Sequence, residues 1–279
     1  MIKVSAILPV YNAEKTLERA VNSLLIQPEI DEIFLIEDGS EDGSFALCQK
    51  LEAEFPTIKL HTHPNHENRG APASRNLGLS LAKNDWLQFM DADDELLSGK
   101  IADQVKLIEN NESLIVSPFL MLDDESESLF IPMEDFWSGL IATRLGNTVS
   151  NLFNRKIAIQ AGGWNESLKN VQEYHLMFEM LKLNPIFKMT EACLSHIYPQ
   201  PESITNSESN FDEKRDNYFI FRDMVRNYLL EVGEYNLKRK HYYNICTGEN
   251  LKYHSPSFEV VWNPMYYSFY KLFKRLKPA

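Results

Sequence analysis

Basic residues are in short supply. The 279-residue chain carries 28 Lys and Arg against 40 Asp and Glu, a net charge of −12. That argues against nucleic acid as a partner, because a phosphate backbone is held largely through Lys and Arg. Long apolar runs are also missing: no stretch approaches the ~18 residues a membrane-spanning helix needs. Met1-Ile2-Lys3 leads straight into an apolar strand without a signal-peptide pattern. Cysteine is scarce, and Cys48, Cys193 and Cys246 lie far apart, with neither metal-ligand spacing nor a disulfide framework. These absences predict a soluble cytoplasmic protein, at most peripheral to a membrane. No Gly-x-Gly-x-x-Gly follows the first apolar run, and no Gly-x-x-x-x-Gly-Lys-Ser/Thr occurs anywhere. A nicotinamide dehydrogenase and a P-loop phosphohydrolase are therefore disfavoured.

What is present is a core. Hydrophobic residues make up 44% of the chain, enough for one large domain or a domain with an extension. Val4–Val10 is a continuous apolar run, as expected of a strand buried on both faces of a parallel sheet, and Pro9 should end it. Asn12 reads as the cap of a helix carrying Leu17, Val21, Leu24 and Leu25, with Glu14 in its first turn. A strand over 32–37 breaks into the turn-rich Asp38-Gly-Ser-Glu-Asp-Gly-Ser44. Leu47, Leu51 and Phe55 mark a helix face, 58–60 a short strand, and Pro72 the first turn of a helix reaching about Lys83. A fourth strand, from Trp86, ends at Asp91. Alternating strands and helices predict an α/β fold with a doubly wound, mostly parallel sheet. Ligands of such sheets bind outside the carboxyl ends of the strands. Asn12, Asp38 and Asp91–Asp93 all fall at such ends.

The fourth strand stops in Asp91, Asp93, Asp94 and Glu95. Acids so close together repel unless something positive sits among them. Hard divalent cations such as Mg²⁺ and Mn²⁺ prefer carboxylate oxygens, and Mg²⁺ takes one or two of them plus substrate phosphates. A metal–diphosphate site therefore stands beside the plainer reading of a solvated acidic loop. Further on, 100–110 reads as a helix capped by Ser98, 123–127 as an acidic turn between strands, and 134–143 as an amphipathic helix over an acceptor crevice.

Four segments in order, Leu8-Pro-Val-Tyr-Asn12, Ile36-Glu-Asp-Gly-Ser40, Asn68-Arg-Gly-Ala-Pro-Ala-Ser-Arg-Asn-Leu-Gly78 and Phe89-Met-Asp-Ala-Asp-Asp94, resemble the family 2 glycosyltransferases of the GT-A fold. The likeness continues through Ala161-Gly-Gly-Trp-Asn-Glu166 and fades after Thr205. It implies transfer of a sugar, with inversion, from a nucleotide-diphosphate donor (a UDP-sugar above all) to a hydroxyl of a glycan or lipid-linked acceptor in cell-surface polysaccharide synthesis. By position, Pro9, Tyr11, Asn12, Asp38, Arg75, Asp91 and Asp93 would bind the donor, with Asp38 accepting from the base. Asp93 would hold Mn²⁺ or Mg²⁺, Asp91 would reach the metal through water or bind donor hydroxyls, and His196 is a further candidate ligand. Gln200 stands where the family suggests a histidine. Glu173 would be the general base, although Gln172-Glu-Tyr-His175 departs from the family pattern, with His175 replacing an acid. Gly70 and Gly78 would serve close packing.

The implied organisation is a GT-A domain over 1–205, split into a nucleotide-sugar half (1–97) and an acceptor half (98–205), followed by a helical extension over 206–279. In that extension Phe211, Tyr218, Phe221, Val225, Tyr228 and Leu229 suit one helix face. From Lys238 onward eight basic residues face two acidic ones. Residues 264–277 form a basic amphipathic helix, suited either to the inner face of an anionic membrane or to packing on its own domain. Two rivals remain: a nucleotidyltransferase, which lacks its glycine-rich basic loop here, and a catalytically silent nucleotide-sugar-binding scaffold.

Overall fold

The apolar run Val4–Val10 forms β1, buried along its whole length. The computed structural model describes residues 2–109, 111–123, 126–199 and 211–276. After β1 come α1 (Leu17–Leu25), β2 (Ile30–Glu37), α2 (Ser44–Glu54), β3 (Ile58–Thr62), α3 (Ala71–Leu81) and β4 (Trp86–Phe89). Then follow β5 (Glu95–Leu96), α4 (Lys100–Val105), β6 (Leu114–Val116), β7 (Phe119–Asp123), β8 (Ser126–Phe130), α5 (Phe136–Ala142) and β9 (Leu152–Asn154). The chain continues through α6 (Arg155–Gln160), α7 (Gln172–Leu183), β10 (Phe187–Met189), β11 (Ser195–Ile197), α8 (Phe211–Glu231), α9 (Leu237–Asn250) and α10 (Pro264–Leu276).

Two compact units divide these elements. The first, residues 1–132, 146–168 and 172–199, holds every described strand. Its seven-stranded sheet runs β10-β6-β9-β4-β1-β2-β3. β9 alone is antiparallel to its neighbours, and the other pairings are parallel. The strand order reverses between β1 and β4, so the crevice of a doubly wound sheet opens at their carboxyl ends. Tyr11 and Asp91 lie just past those ends. A smaller sheet, β5-β11-β7-β8, pairs Glu95 with His196.

β1 runs one residue beyond Pro9, which pairs with Ile36. Its missing N–H is harmless because it faces the β4 side, and β4 has already ended at Phe89. Two expected caps are corrected. Asn12 has φ +49° and does not cap α1, which starts only at Leu17; its side chain accepts from Glu41 N at 2.9 Å, and its N–H donates to Ser40 Oγ at 3.0 Å. It therefore ties the loop after β1 to the loop after β2. Likewise Ser98 does not cap α4: Gly99, at φ +83°, occupies that position. α4 stops at Val105 because Leu107 and Ile108 donate three residues back, to Gln104 and Val105, tightening the last turn. Residues 124–125 of the expected acidic turn lie outside the described residues, as do Gln200 and 201–210. Gly78 does serve close packing, since a Cβ there would stand 2.3 Å from Ile7 Cγ2. Gly70 instead supplies φ +84° at the start of α3.

The second unit contains 133–145, 169–171 and 200–279. Asp135 caps α5 by accepting from Ser138 N and pairs with Arg239 at 3.1 Å. Buried Arg222 donates from Nε to Ile141 O at 2.8 Å, holding the other end of α5 to α8. Phe221, Val225 and Leu229 are buried on α8 as their spacing predicts, and Tyr228 packs on Trp137. Among the described residues no helix is long and apolar enough to cross a membrane.

One buried charge gives a test of the core. Lys100 is fully buried and donates to Gln88 Oε1, whose amide nitrogen donates to Val149 O at 3.0 Å. Burial holds the Lys100 amine well below the usual lysine range. The folded state therefore binds fewer protons than the unfolded chain up to the unfolded value of about 10.4. Stability should rise with pH across that window and be lost as pH falls through the lowered value. Urea titrations between about pH 7 and 10 should show wild type gaining up to about 1.4 kcal/mol per pH unit over Lys100→Met; parallel curves would contradict this.

Candidate active site

The acidic stretch leaves β4 and is met by two arginines. Arg75, buried on α3, donates from Nη2 to Asp91 Oδ1 at 2.5 Å. Its guanidinium lies 4.5 Å from the centre of the Trp164 ring, a cation–π arrangement. Trp164 is placed by Asn76, the neighbour of Arg75 on α3. The Asn76 amide oxygen accepts from Trp164 N at 2.8 Å, and its nitrogen donates to Trp164 O and Glu166 Oε1, each at 2.8 Å. The segments Asn68–Gly78 and Ala161–Glu166, distant in sequence, are thus locked together at the site. Arg75 Nε and Trp164 Nε1 are both buried without a hydrogen-bond partner among the described residues.

Arg19 is the second cation, and the sequence reading missed it. It reaches from α1 to donate from Nη2 to Asp93 O at 2.5 Å and stacks 3.9 Å from the Tyr198 ring centre. Tyr198 in turn donates its hydroxyl to Glu95 Oε2 at 2.7 Å and its amide to Asp94. Arg19 belongs to a polar row at every fourth position. Ser23 Oγ accepts from Leu96 N at 3.1 Å, and Gln27 Nε2 donates to Leu97 O at 2.9 Å. This row receives the backbone of the acidic loop and β5. From sequence, a polar row at this spacing reads as a solvent face.

Electrostatics follow from this crowding. Burial, and then the Asp91 charge, push the Asp93 carboxyl up to about 6. Asp94 is raised well above the usual carboxylate range by burial and by both aspartates. Asp94 and Glu95 are each taken up by Tyr198 and serve the loop. Glu173, half-buried in the first turn of α7, is raised by burial; Arg75 lowers it and Asp91 raises it further. Arg75, Asp91 and Glu173 therefore share one electrostatic neighbourhood. His175 does not join them. Two residues on, it lies on another side of α7, its pKa is lowered by burial, and its charged neighbours are Glu179 and Lys182.

The other expected donor residues are placed as follows. Asp38 is buried at the end of β2, accepting from Arg69 N at 2.7 Å and Gly70 N at 2.9 Å, with His63 Nε2 at 3.5 Å. It orders the entry to α3, and each oxygen keeps a lone pair. Pro9 is buried within β1, whereas Tyr11 is exposed just beyond it. His196 sits opposite Glu95 in the smaller sheet. Among the described residues no three His, Cys, Asp or Glu side chains converge as a metal cage, and His196 is not gathered with Asp91 and Asp93. Two crowded carboxylates, with Asp93 raised by burial and by the Asp91 charge, still fit a hard cation whose remaining ligands are phosphate oxygens and water.

Asn76→Ala removes three hydrogen bonds and leaves Trp164 N–H without its acceptor, so urea unfolding should show a loss of about 2 kcal/mol. An unchanged midpoint would show that Asn76 does not hold the loop.

Comparison with known proteins agrees with this architecture. S. aureus TarS 1–349, solved in complex with UDP-GlcNAc, superposes with a TM-score of 0.66 at 15% identity, covering 90% of this chain and 81% of that one. The mannosyltransferase PcManGT of Pyrobaculum calidifontis, solved with GDP-Man and Mn²⁺, superposes with a TM-score of 0.59 at 13% identity, covering 98% and 80%. Both likenesses concern the fold, which is GT-A. UDP-Glc:alpha-D-GlcNAc-diphosphoundecaprenol beta-1,3-glucosyltransferase WfgD of Escherichia coli is 24% identical over 233 residues, 82% of this chain and 89% of that protein. Two other curated relatives are much longer than the match, which spans 29% and 43% of their lengths. The model described as glycosyl transferase family 2 matches residues 5–172, from β1 to the first residue of α7, and the chain accordingly belongs to that family of enzymes.

Proposed function

We propose that the chain transfers a sugar, with inversion, from a nucleotide-diphosphate donor, a UDP-sugar, to a hydroxyl of a lipid-linked glycan in cell-surface polysaccharide synthesis. The observation that carries this reading is the meeting of Arg75, Asp91 and Glu173 at the β1/β4 crevice of a family 2 fold. The relative named as acting on a diphosphoundecaprenol-linked sugar, aligned over most of both chains, supports the acceptor class. Work on such an acceptor would put the chain in the cytoplasm, peripheral to the inner face of the membrane. Residues 1–205 would form the transferase domain and 206–279 its extension.

Glu173 acts as general base, taking the proton of the acceptor hydroxyl as it attacks the anomeric carbon from the side opposite the diphosphate. Its raised pKa makes it a better proton acceptor than a free carboxylate. Arg75, with Nε uncommitted, binds the donor diphosphate while keeping Asp91 oriented. Asp38 accepts from the uracil N–H with a remaining lone pair, and Tyr11 and Asn12 border the base at the end of β1. Asp91 takes the donor's ribose or sugar hydroxyls. Asp93 would hold Mn²⁺ or Mg²⁺, with Asp91 through water and the diphosphate oxygens completing the shell. When bound, the cation neutralises charge developing on the leaving diphosphate. Arg19 and Tyr198 keep the acidic loop in one conformation for these tasks. His196 as an additional ligand has no support in the geometry.

Nucleotide release from a panel of nucleotide sugars, with Mn²⁺, Mg²⁺ or a chelator, tests the class. Metal-dependent release from one donor, lost in Asp93→Ala, is expected; no release and no metal-dependent nucleotide-sugar binding would favour the silent scaffold. Glu173→Gln should lower turnover by about 10²–10⁴-fold and keep donor affinity. The wild-type rate should fall as pH drops, through the raised ionisations of Glu173 and Asp93, above the usual glutamate value of about 4.3. A flat profile there would remove Glu173 from the role.

A further inference from the structure

α10 has two unlike sides. On one, Tyr267 is 7% exposed and packs so closely on Gly248 of α9 that a Cβ there would stand 2.6 Å from its ring. Its hydroxyl donates to Glu249 Oε1 at 2.8 Å. Tyr266 and Tyr270 flank the His241 ring edge-on, and Tyr266 Oη lies 2.5 Å from its Nδ1. These contacts fix the helix on α9 in one rotation.

That rotation turns Met265, Phe269 and Leu272 away from α9. They are 71%, 63% and 53% exposed, at positions i, i+4 and i+7 of one helical row. With Pro264 and Ser268 they line a shallow apolar groove. Val261, just before the helix, is exposed as well. A soluble helix buries such a row, and here the buried face is the opposite one.

Charge selects the occupant. The chain is acidic overall, yet from Lys238 onward eight basic residues face two acidic ones, Lys271 and Lys274 among them on α10 itself. An anionic surface would repel the rest of the chain and attract this end, which sets orientation as well as affinity. An exposed apolar row of Met, Phe and Leu, on a helix whose Lys271 and Lys274 share the opposite row with Tyr267, suits insertion into the acyl side of a bilayer surface.

We propose that Met265, Phe269 and Leu272 of α10 dock this chain on an anionic phospholipid bilayer. The inference rests on the reading of the acceptor as lipid-linked, for which it supplies the place of encounter.

The test is co-sedimentation of the full chain, without donor or acceptor, with extruded vesicles of phosphatidylethanolamine and phosphatidylglycerol or of phosphatidylcholine alone. Wild type should bind the anionic vesicles at least tenfold more tightly than the neutral ones, and raised salt should weaken that preference. Phe269→Ser/Leu272→Ser should bind at least tenfold more weakly, with an unchanged unfolding midpoint and unchanged nucleotide release in free solution. Lys271→Glu/Lys274→Glu should lose the preference for anionic vesicles. Failure of wild type to sediment, or equal sedimentation of the apolar double variant, would overturn the proposal. So would a dimer in sedimentation velocity that the apolar double variant abolishes, which would assign the row to a second copy. Vesicle binding is scored without turnover, so its failure leaves the transferase reading standing, and absent nucleotide release leaves the docking result intact.

Discussion

Four carboxylates at the end of a buried strand repel one another, and the architecture of the first unit answers that repulsion with arginines delivered from two helices. Arg75 comes from α3 and meets Asp91 by its side chain. Arg19 comes from α1 and meets Asp93 by its backbone oxygen. The difference matters. Asp91 has a charged partner, whereas Asp93 gains only the more distant field of a guanidinium and carries a raised pKa. One acid is compensated within the chain and the next is left short of positive charge, at the crevice where the strand order reverses. Such a gradient of compensation suits a place where an external cation and a diphosphate would meet.

Each of those arginines depends on a support with no charge of its own. Arg75 is flattened between Asp91 and Trp164, and Trp164 is held by the three hydrogen bonds of Asn76. The entry to α3 is fixed in turn by Asp38, whose two oxygens accept the amides of Arg69 and Gly70. Asp38 at the end of β2 and Asp91 at the end of β4 are thus coupled through α3, one holding its start and the other its guanidinium. Arg19 is steadied by stacking on Tyr198, which also binds Asp94 and Glu95.

α1 shows how a helix can take the place of a strand. Arg19 and Ser23 of α1, and Gln27 just past its end, bond backbone groups of Asp93, Leu96 and Leu97. Those groups lie in or beside the two-residue strand β5, which among the described residues pairs with β11 alone. The other face of α1, with Leu17, Ala20, Val21 and Leu24, is buried in the main core. A single helix therefore seats the acidic loop with one face and anchors itself with the other. In the second unit arginines again work at helix ends: Arg239 meets the cap of α5 and Arg222 its last turn.

The sequence by itself determined the first four strands, their order along the chain and the clusters at their carboxyl ends. A run such as Val4–Val10 carries one small polar residue, Ser5, among apolar ones, so burial on both sides is its stable outcome. The resemblance to family 2 glycosyltransferases also pointed to Asp38, Arg75, Asp91, Asp93 and Glu173. The tertiary structure decided which of these meet, and what surrounds them. Asn12 looked like a helix cap because its local chemistry suits one; its partners Ser40 and Glu41 lie on another loop. Arg19, Ser23, Gln27 and Lys100 carried no motif, and their roles come from partners on other segments. Periodicity reports which face of a helix is apolar, but it carries no information on what a polar face will meet. That is set by contacts between residues far apart in the chain, which arise only when the sheet closes and brings the ends of β1, β2 and β4 side by side.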